Sequence, residues 1–202
     1  MNVRLRHHHI ALIFLISLSF PAHAFLVLRL NLEHLVSFSE KVFLGRCLEV
    51  KETEDLNGRP VQFVTYEVIE TLKGPPEKTV TFKQIRLGEG RQQGEVSTTT
   101  ALSDLPTYKV GEENVIFLSG ESDIGLTAPV GLLQGKFLVT STASGEKKVT
   151  NGLKNKGLVS GLSKSPKVKS LRLTSREKKA LEKPAETIPY EDFKSLVRKL
   201  SE

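Results

Sequence analysis

Beyond its first 24 residues the chain carries one histidine, His34, and one cysteine, Cys47, and it has no tryptophan at all. A thiolate–imidazole pair is the nucleophilic constellation these two could make, and a Ser-His-Asp arrangement would also have to run through His34. One cysteine permits no internal disulfide. One histidine and one cysteine also exclude the four-cysteine, paired-Cys with paired-His and three-His sets that hold zinc. His34 falls beside Leu35 in a helical stretch, and Cys47 falls within a strand, where cysteine serves as a small apolar core residue. Glu67 and Glu70 lie an odd number of residues apart on one strand, so they point to opposite faces and cannot pair as acid and base. Glu112 and Glu113 read as solvated turn charges. The inventory predicts no catalytic residue, no metal and no cofactor.

Two stretches suit binding better than bond-making. Arg86, Gly88, Gly90, Arg91 and Gly94 mix guanidinium groups with glycines at the start of a long loop, Leu87 to Thr107, that holds little apolar content. Such a loop could shape a backbone-amide concavity for an anion, although it has neither P-loop nor G-x-G-x-x-G order. The second stretch, Lys154 to Lys183, carries ten Lys or Arg against two Glu, a net of +8 in a chain whose total is +6. Lys164, Lys167, Lys169 and Arg172 are its candidate contacts with a phosphate-rich surface. It contains no aromatic residue, so it offers no base stacking, and nucleic acid is not expected as a partner. The plainer reading is a solvated, mobile tether, with one short helix from Thr174 to Lys183.

The elements that must position these residues are mostly strands. Asn31 can cap a helix from Leu32 to Phe38, with Leu32, Leu35 and Val36 facing inward. From Lys41 the period changes to two, placing Val42, Leu44, Leu48 and Val50 on one face and Phe43, Gly45, Cys47 and Glu49 on the other. Asn57-Gly58 is a hairpin signal, and a second strand follows from Val61 to about Thr71. Lys73-Gly74-Pro75-Pro76 ends it, and Thr79 to Ile85 makes a third. Further strands are expected at Val115–Leu118, Leu126–Leu133, Lys136–Ser141 and Lys147–Thr150. Ile188-Pro189 opens a closing helix whose Phe193, Leu196, Val197 and Leu200 form one apolar stripe. Short strands between turn residues predict a mainly β fold, a small antiparallel OB-like barrel with a short N-terminal helix and a C-terminal amphipathic helix.

The first 24 residues read as an address. Arg4 and Arg6 precede an apolar run from Ile10 to Phe20, and Ala22-His23-Ala24 ends it, the three parts of a secretory signal peptide. Eleven helical residues reach about 16 Å, half of what a bilayer core requires. The expected organisation is thus a signal peptide over 1–24, a barrel over 25–153, a basic linker over 154–187 and a helix over 188–202 docked on the barrel or a partner. Cleavage after Ala24 would export the protein to the periplasm or the medium, with no integral membrane segment left.

The ordered segments Leu30-Asn-Leu-Glu-His-Leu-Val36, Val42-Phe-Leu-Gly-Arg46, Val64-Thr-Tyr-Glu-Val-Ile-Glu-Thr-Leu-Lys-Gly74, Val110-Gly-Glu-Glu-Asn-Val-Ile-Phe-Leu118, Gly131-Leu-Leu-Gln-Gly-Lys-Phe137 and Ile188-Pro-Tyr-Glu-Asp-Phe193 together resemble a family of exported bacterial proteins without an assigned activity. The strand order also looks, more distantly, like the OB barrel of the tissue-inhibitor-of-metalloproteinase and netrin-like group. That resemblance implies a fold but not the inhibitor mechanism. Those inhibitors set an N-terminal Cys on the target's zinc, and the expected mature terminus here is Phe25. The sequence therefore points to an exported, non-catalytic binding module of the cell envelope. Its partner would be an envelope protein or an anionic surface ligand, met at the barrel face and the long loop. A hydrolase using carboxylates or a Ser, and an envelope assembly subunit, are the alternatives.

Overall fold

A computed structural model describes residues 28–86, 105–182 and 185–202. Residues 1–24, expected as a signal peptide, lie outside them. Seven strands form one antiparallel sheet: β1 (Lys41–Glu54), β2 (Pro60–Lys73), β3 (Thr79–Ile85), β4 (Glu113–Leu118), β5 (Lys136–Ser141), β6 (Lys147–Asn151) and β7 (Ile188–Pro189). Their order is β3-β2-β1-β4-β5-β6-β7. Among the described residues four α-helices accompany them: α1 (Leu32–Phe38), α2 (Pro166–Ser170), α3 (Ser175–Glu182) and α4 (Tyr190–Ser201). The fold is mainly β, with a helix before the first strand and an amphipathic helix at the end.

The long strands β1 and β2 meet in the hairpin that Asn57-Gly58 predicts. Gly58 takes φ +69° at the turn, and the Asp55 carboxylate accepts from the amides of Asn57 and Arg59 at 2.9 and 3.0 Å. Local side-chain bonding of this kind fixes a turn against competing conformations. Bulges interrupt the β1–β2 register, one of them between Cys47 and Glu49. The extra residue there is Leu48, so the simple two-residue alternation expected along β1 fails. Leu48 turns outward, while Val50 packs with Phe43 and Cys47 instead of against them. At Gly45 a Cβ would sit 2.8 Å from the Glu67 carbonyl oxygen, which is why this strand position carries no side chain.

β1 and β4 are shared walls between two cores. Val42, Leu44, Val115 and Phe117 face one side; Phe43, Cys47, Ile116 and Leu118 face the other. On the second side, Tyr66, Val80 and Phe82 from β2 and β3 complete an aromatic interior with Tyr108. The segment after β4 closes it. Leu118 bridges Pro129, and the Thr127 amide donates to the Lys83 carbonyl of edge strand β3 at 2.9 Å. That segment was expected as the strand Leu126–Leu133; only the bridge forms, followed by a 3-10 turn at Leu132–Gln134. The result is a small barrel-like half.

The other core lies beneath the helices. Phe193, Leu196, Val197 and Leu200 of α4 are all buried, and Phe193 packs 4.8 Å from Phe137 and 6.0 Å from Phe117 between ring centroids. Burying such side chains is worth roughly 1.5–3 kcal/mol each. α4 begins two residues later than expected, because Ile188–Pro189 pairs with β6 as β7.

The stretch expected as a mobile tether is corrected by the structure. Leu158, Leu162, Val168 and Leu181 are buried in the helix-side core. Leu32 donates its amide to Leu158 at 2.8 Å, and Asn31 Nδ2 donates to the Ser160 carbonyl at 2.9 Å. Buried Asn155 donates to the carbonyls of Val149 and Glu186. The apolar residues of this segment are spaced irregularly, so no helical or strand period betrays them, yet each reaches the core. Among the described residues no helix is long and apolar enough to cross a membrane.

Candidate binding surfaces

His34 and Cys47 are not brought together. His34 is exposed on α1 and stacks on Phe38 at 5.9 Å. Cys47 faces the barrel interior, buried, and burial pushes its thiol pKa up. Glu70 leaves the strand on the helix side, where it accepts from Tyr190 and Arg198 at 2.7 and 2.8 Å, while Glu67 stays exposed. Glu112 and Glu113 are not simply solvated. Glu112 pairs with Lys136 at 3.5 Å, and Glu113 with Arg46 and Lys147 at 2.9 and 2.7 Å. The hydrogen bonds from Lys147 and Arg46 hold the Glu113 pKa below the ordinary carboxylate value. Among the described residues no three His, Cys, Asp or Glu side chains gather as metal ligands would.

Of the loop residues expected to cradle an anion, Gly88, Gly90, Arg91 and Gly94 lie outside the described residues. Arg86 pairs with Glu52 at 3.0 Å across the sheet. Lys164, Lys167, Lys169 and Arg172 are all exposed, but on a folded surface rather than a free chain. Lys167 donates to the Leu200 carbonyl at 2.7 Å, satisfying one of the unpaired oxygens at the end of α4.

The outer side of the barrel strands carries an apolar surface. Along β2, Phe63, Thr65, Glu67 and Ile69 alternate outward, and Thr65 shares a hydroxyl hydrogen bond of 3.0 Å with Thr81 of β3. Leu48, Phe63, Ile69 and Ile85 are 36–48% exposed, well above the exposure of core side chains. At the hairpin end of this face a cavity of about 440 Å³ is lined by Leu56, Phe63, Lys83 and Ile124, with Asp55 and Arg59 at its rim. Lys83 is held there by donating to the Ile124 carbonyl at 2.7 Å. Sequence reasoning located the strands but not this surface, because the Leu48 bulge and the placement of Ile124 beside Phe63 depend on tertiary contacts.

The opposite surface is the helical layer. Glu177 is buried under it and accepts from Lys199 Nζ at 2.7 Å on both oxygens, from Ser195 Oγ at 2.6 Å and from the Thr174 amide at 2.6 Å. Burial opposes its ionisation, but these hydrogen bonds outweigh burial and hold its pKa at about 2. Thr174 Oγ1 accepts in return from the Glu177 amide at 3.2 Å, a reciprocal cap. The Thr-x-x-Glu spacing of Thr174 and Glu177 was a readable signal for this helix start. No protein-family model matches the chain, and no curated protein does.

Proposed function

We propose that this chain is an exported, non-catalytic binding module that takes a protein partner on the outer face of its barrel strands. The observation that carries the reading is the surface of Leu48, Phe63, Ile69 and Ile85 around the Thr65–Thr81 pair, running into the cavity at Leu56 and Ile124. A rigid sheet with part-exposed apolar side chains and threonine hydroxyls suits a partner that buries apolar area and satisfies a few hydrogen bonds. OB-type barrels bind through such faces and the loops beside them, and the resemblance to netrin-like barrels supports such a fold here. The leader from Met1 to Ala24, with its basic head and Ala22-His23-Ala24 end, supports export and cleavage.

The test uses the exported protein and a Phe63→Asp, Ile85→Asp double variant as bait against cell-envelope extract. The expected outcome is a protein retained by the parent and lost by the variant, with circular dichroism unchanged. Equal retention by both, or none by either, would remove the face from the reading. Mass spectrometry of the exported form should find Phe25 first; an intact Met1 on a membrane-bound form would make the leader an anchor.

A further inference from the structure

The helical layer carries a surface of a different kind. Its apolar residues are pinned inward, and Lys156, Lys164, Lys169, Arg172, Lys178 and Lys179 are left exposed with no carboxylate within ion-pair distance among the described residues. Three of the acids that could neutralise them are already engaged. Glu177 is buried against Lys199, Asp192 pairs with Arg176 at 3.4 Å, and Glu186 pairs with Lys154 at 3.8 Å; Glu182 remains exposed among the cations. α2 and α3 each pack against the turn at Leu162–Lys164, so the charges from Lys164 to Lys179 belong to one folded layer. Beyond its edge, Lys73 donates to the Val36 and Ser39 carbonyls at 2.7 and 2.6 Å.

We propose that this layer is a peripheral contact for an anionic lipid surface, with those six cations facing headgroup phosphates. The proposal is independent of the barrel-face reading. The charges are spread over turns and the two short helices, and only Lys179 of the six lines a cavity, an arrangement that matches a smeared sheet of negative charge better than a single anion. Lysines outnumber arginines eight to two between Lys154 and Lys183. They act as compact point charges, where bidentate recognition would favour arginine. The absence of aromatics from the segment removes the stacking platform that a single-stranded nucleic acid would use. Between Lys154 and Glu182 no large apolar side chain is exposed, so the contact of this stretch rests on electrostatics without insertion.

The experiment is vesicle co-sedimentation of the full chain. It compares phosphatidylcholine vesicles with vesicles containing roughly one-third phosphatidylglycerol, at low and at elevated salt. The readout is the difference between the two lipids compared across proteins that share the same leader, so that its apolar run and its Arg4 and Arg6 contribute equally to each. A variant with Lys164, Lys169, Lys178 and Lys179 changed to Gln is compared with one in which Lys51, Lys78, Lys109 and Lys148 are changed to Gln, so that both lose equal charge. The expected result is at least tenfold preference for anionic vesicles, a loss of about tenfold in the first variant and on raising salt, and little change in the second. Melting temperatures confirm that both variants fold. Equal loss in both variants would reduce the effect to net charge and overturn the site. So would undiminished binding by the first variant, or binding to heparin or duplex DNA with none to vesicles.

Discussion

In the barrel interior, Tyr66 donates its hydroxyl to Asn114 at 2.7 Å and Tyr108 donates to Gln84 at 2.6 Å, so the buried polar groups are neutral pairs. Under the helical layer the buried polar group is a carboxylate, Glu177, held by Lys199, Ser195 and Thr174. The outsides differ in the same sense. The barrel strands expose Phe63, Ile69 and Ile85, whereas the helical layer exposes lysines. Two cores that share β1 and β4 therefore present one apolar and one cationic surface. The barrel side should respond to loss of shape and the helical side to pH and salt.

The largest effect should come from the shared seam. Phe193→Ala removes a ring packed between Phe117 and Phe137 and should cost about 3–5 kcal/mol, read as a fall in the urea midpoint. If the loss is below about 1 kcal/mol, α4 is not what holds the helical layer to the sheet.

Next is the buried carboxylate. Glu177→Gln keeps the shape but leaves Lys199 without its counter-charge, at a cost of about 2 kcal/mol at neutral pH. The folded pKa of about 2 lies below the unfolded value, so Glu177 adds stability above the unfolded pKa that is lost as pH falls toward 2. The parent should thus lose stability on acidification more steeply than the variant. Parallel acid titrations of the two would expose an error in this assignment. Over the same range the barrel pair should be silent, because burial pushes both tyrosine pKa values upward, away from acid. Tyr66→Phe should cost roughly 1–3 kcal/mol by leaving the buried Asn114 amide without its partner, independent of pH below neutrality.

Much of this frame was readable from residue order. The spacing of Phe193, Leu196, Val197 and Leu200 marked the docking face of α4, and Asn57-Gly58 marked the hairpin. Period-two reading failed where a bulge inserted Leu48, since alternation carries no information about an extra residue. Charge misled more deeply. Between Lys154 and Lys183 the lysines dominate the composition, while the residues that fold the segment are few and irregularly placed: Leu158, Leu162, Val168 and Leu181. Ser165-Pro166 and Thr174-x-x-Glu177 were local start signals within it. The cations Lys164, Lys169 and Arg172 were readable as a cluster because they lie in one stretch of sequence, but not that the stretch is folded; the barrel surface was not readable, because Phe63 meets Ile124 only in three dimensions.

The smallest stability effects should fall on the two surfaces, and they sharpen the comparison most. Phe63→Thr on the barrel and the Lys164, Lys169, Lys178, Lys179→Gln variant on the helical layer should each leave stability within about 0.5 kcal/mol of the parent. The reason differs on the two sides. Phe63 is already 36% exposed and Thr suits an outward strand position, so little buried area is lost. The four lysines have no ion-pair partner among the described residues, so removing their charge breaks no pair and slightly relieves mutual repulsion. Raising salt should consequently stabilise the parent more than the lysine variant, while Phe63→Thr should follow the parent's salt dependence throughout. Thermal melts of the three proteins at two salt concentrations decide it. If the lysine variant proves the less stable at low salt, those side chains hold the fold together, and the helical layer is not free to meet a partner with them.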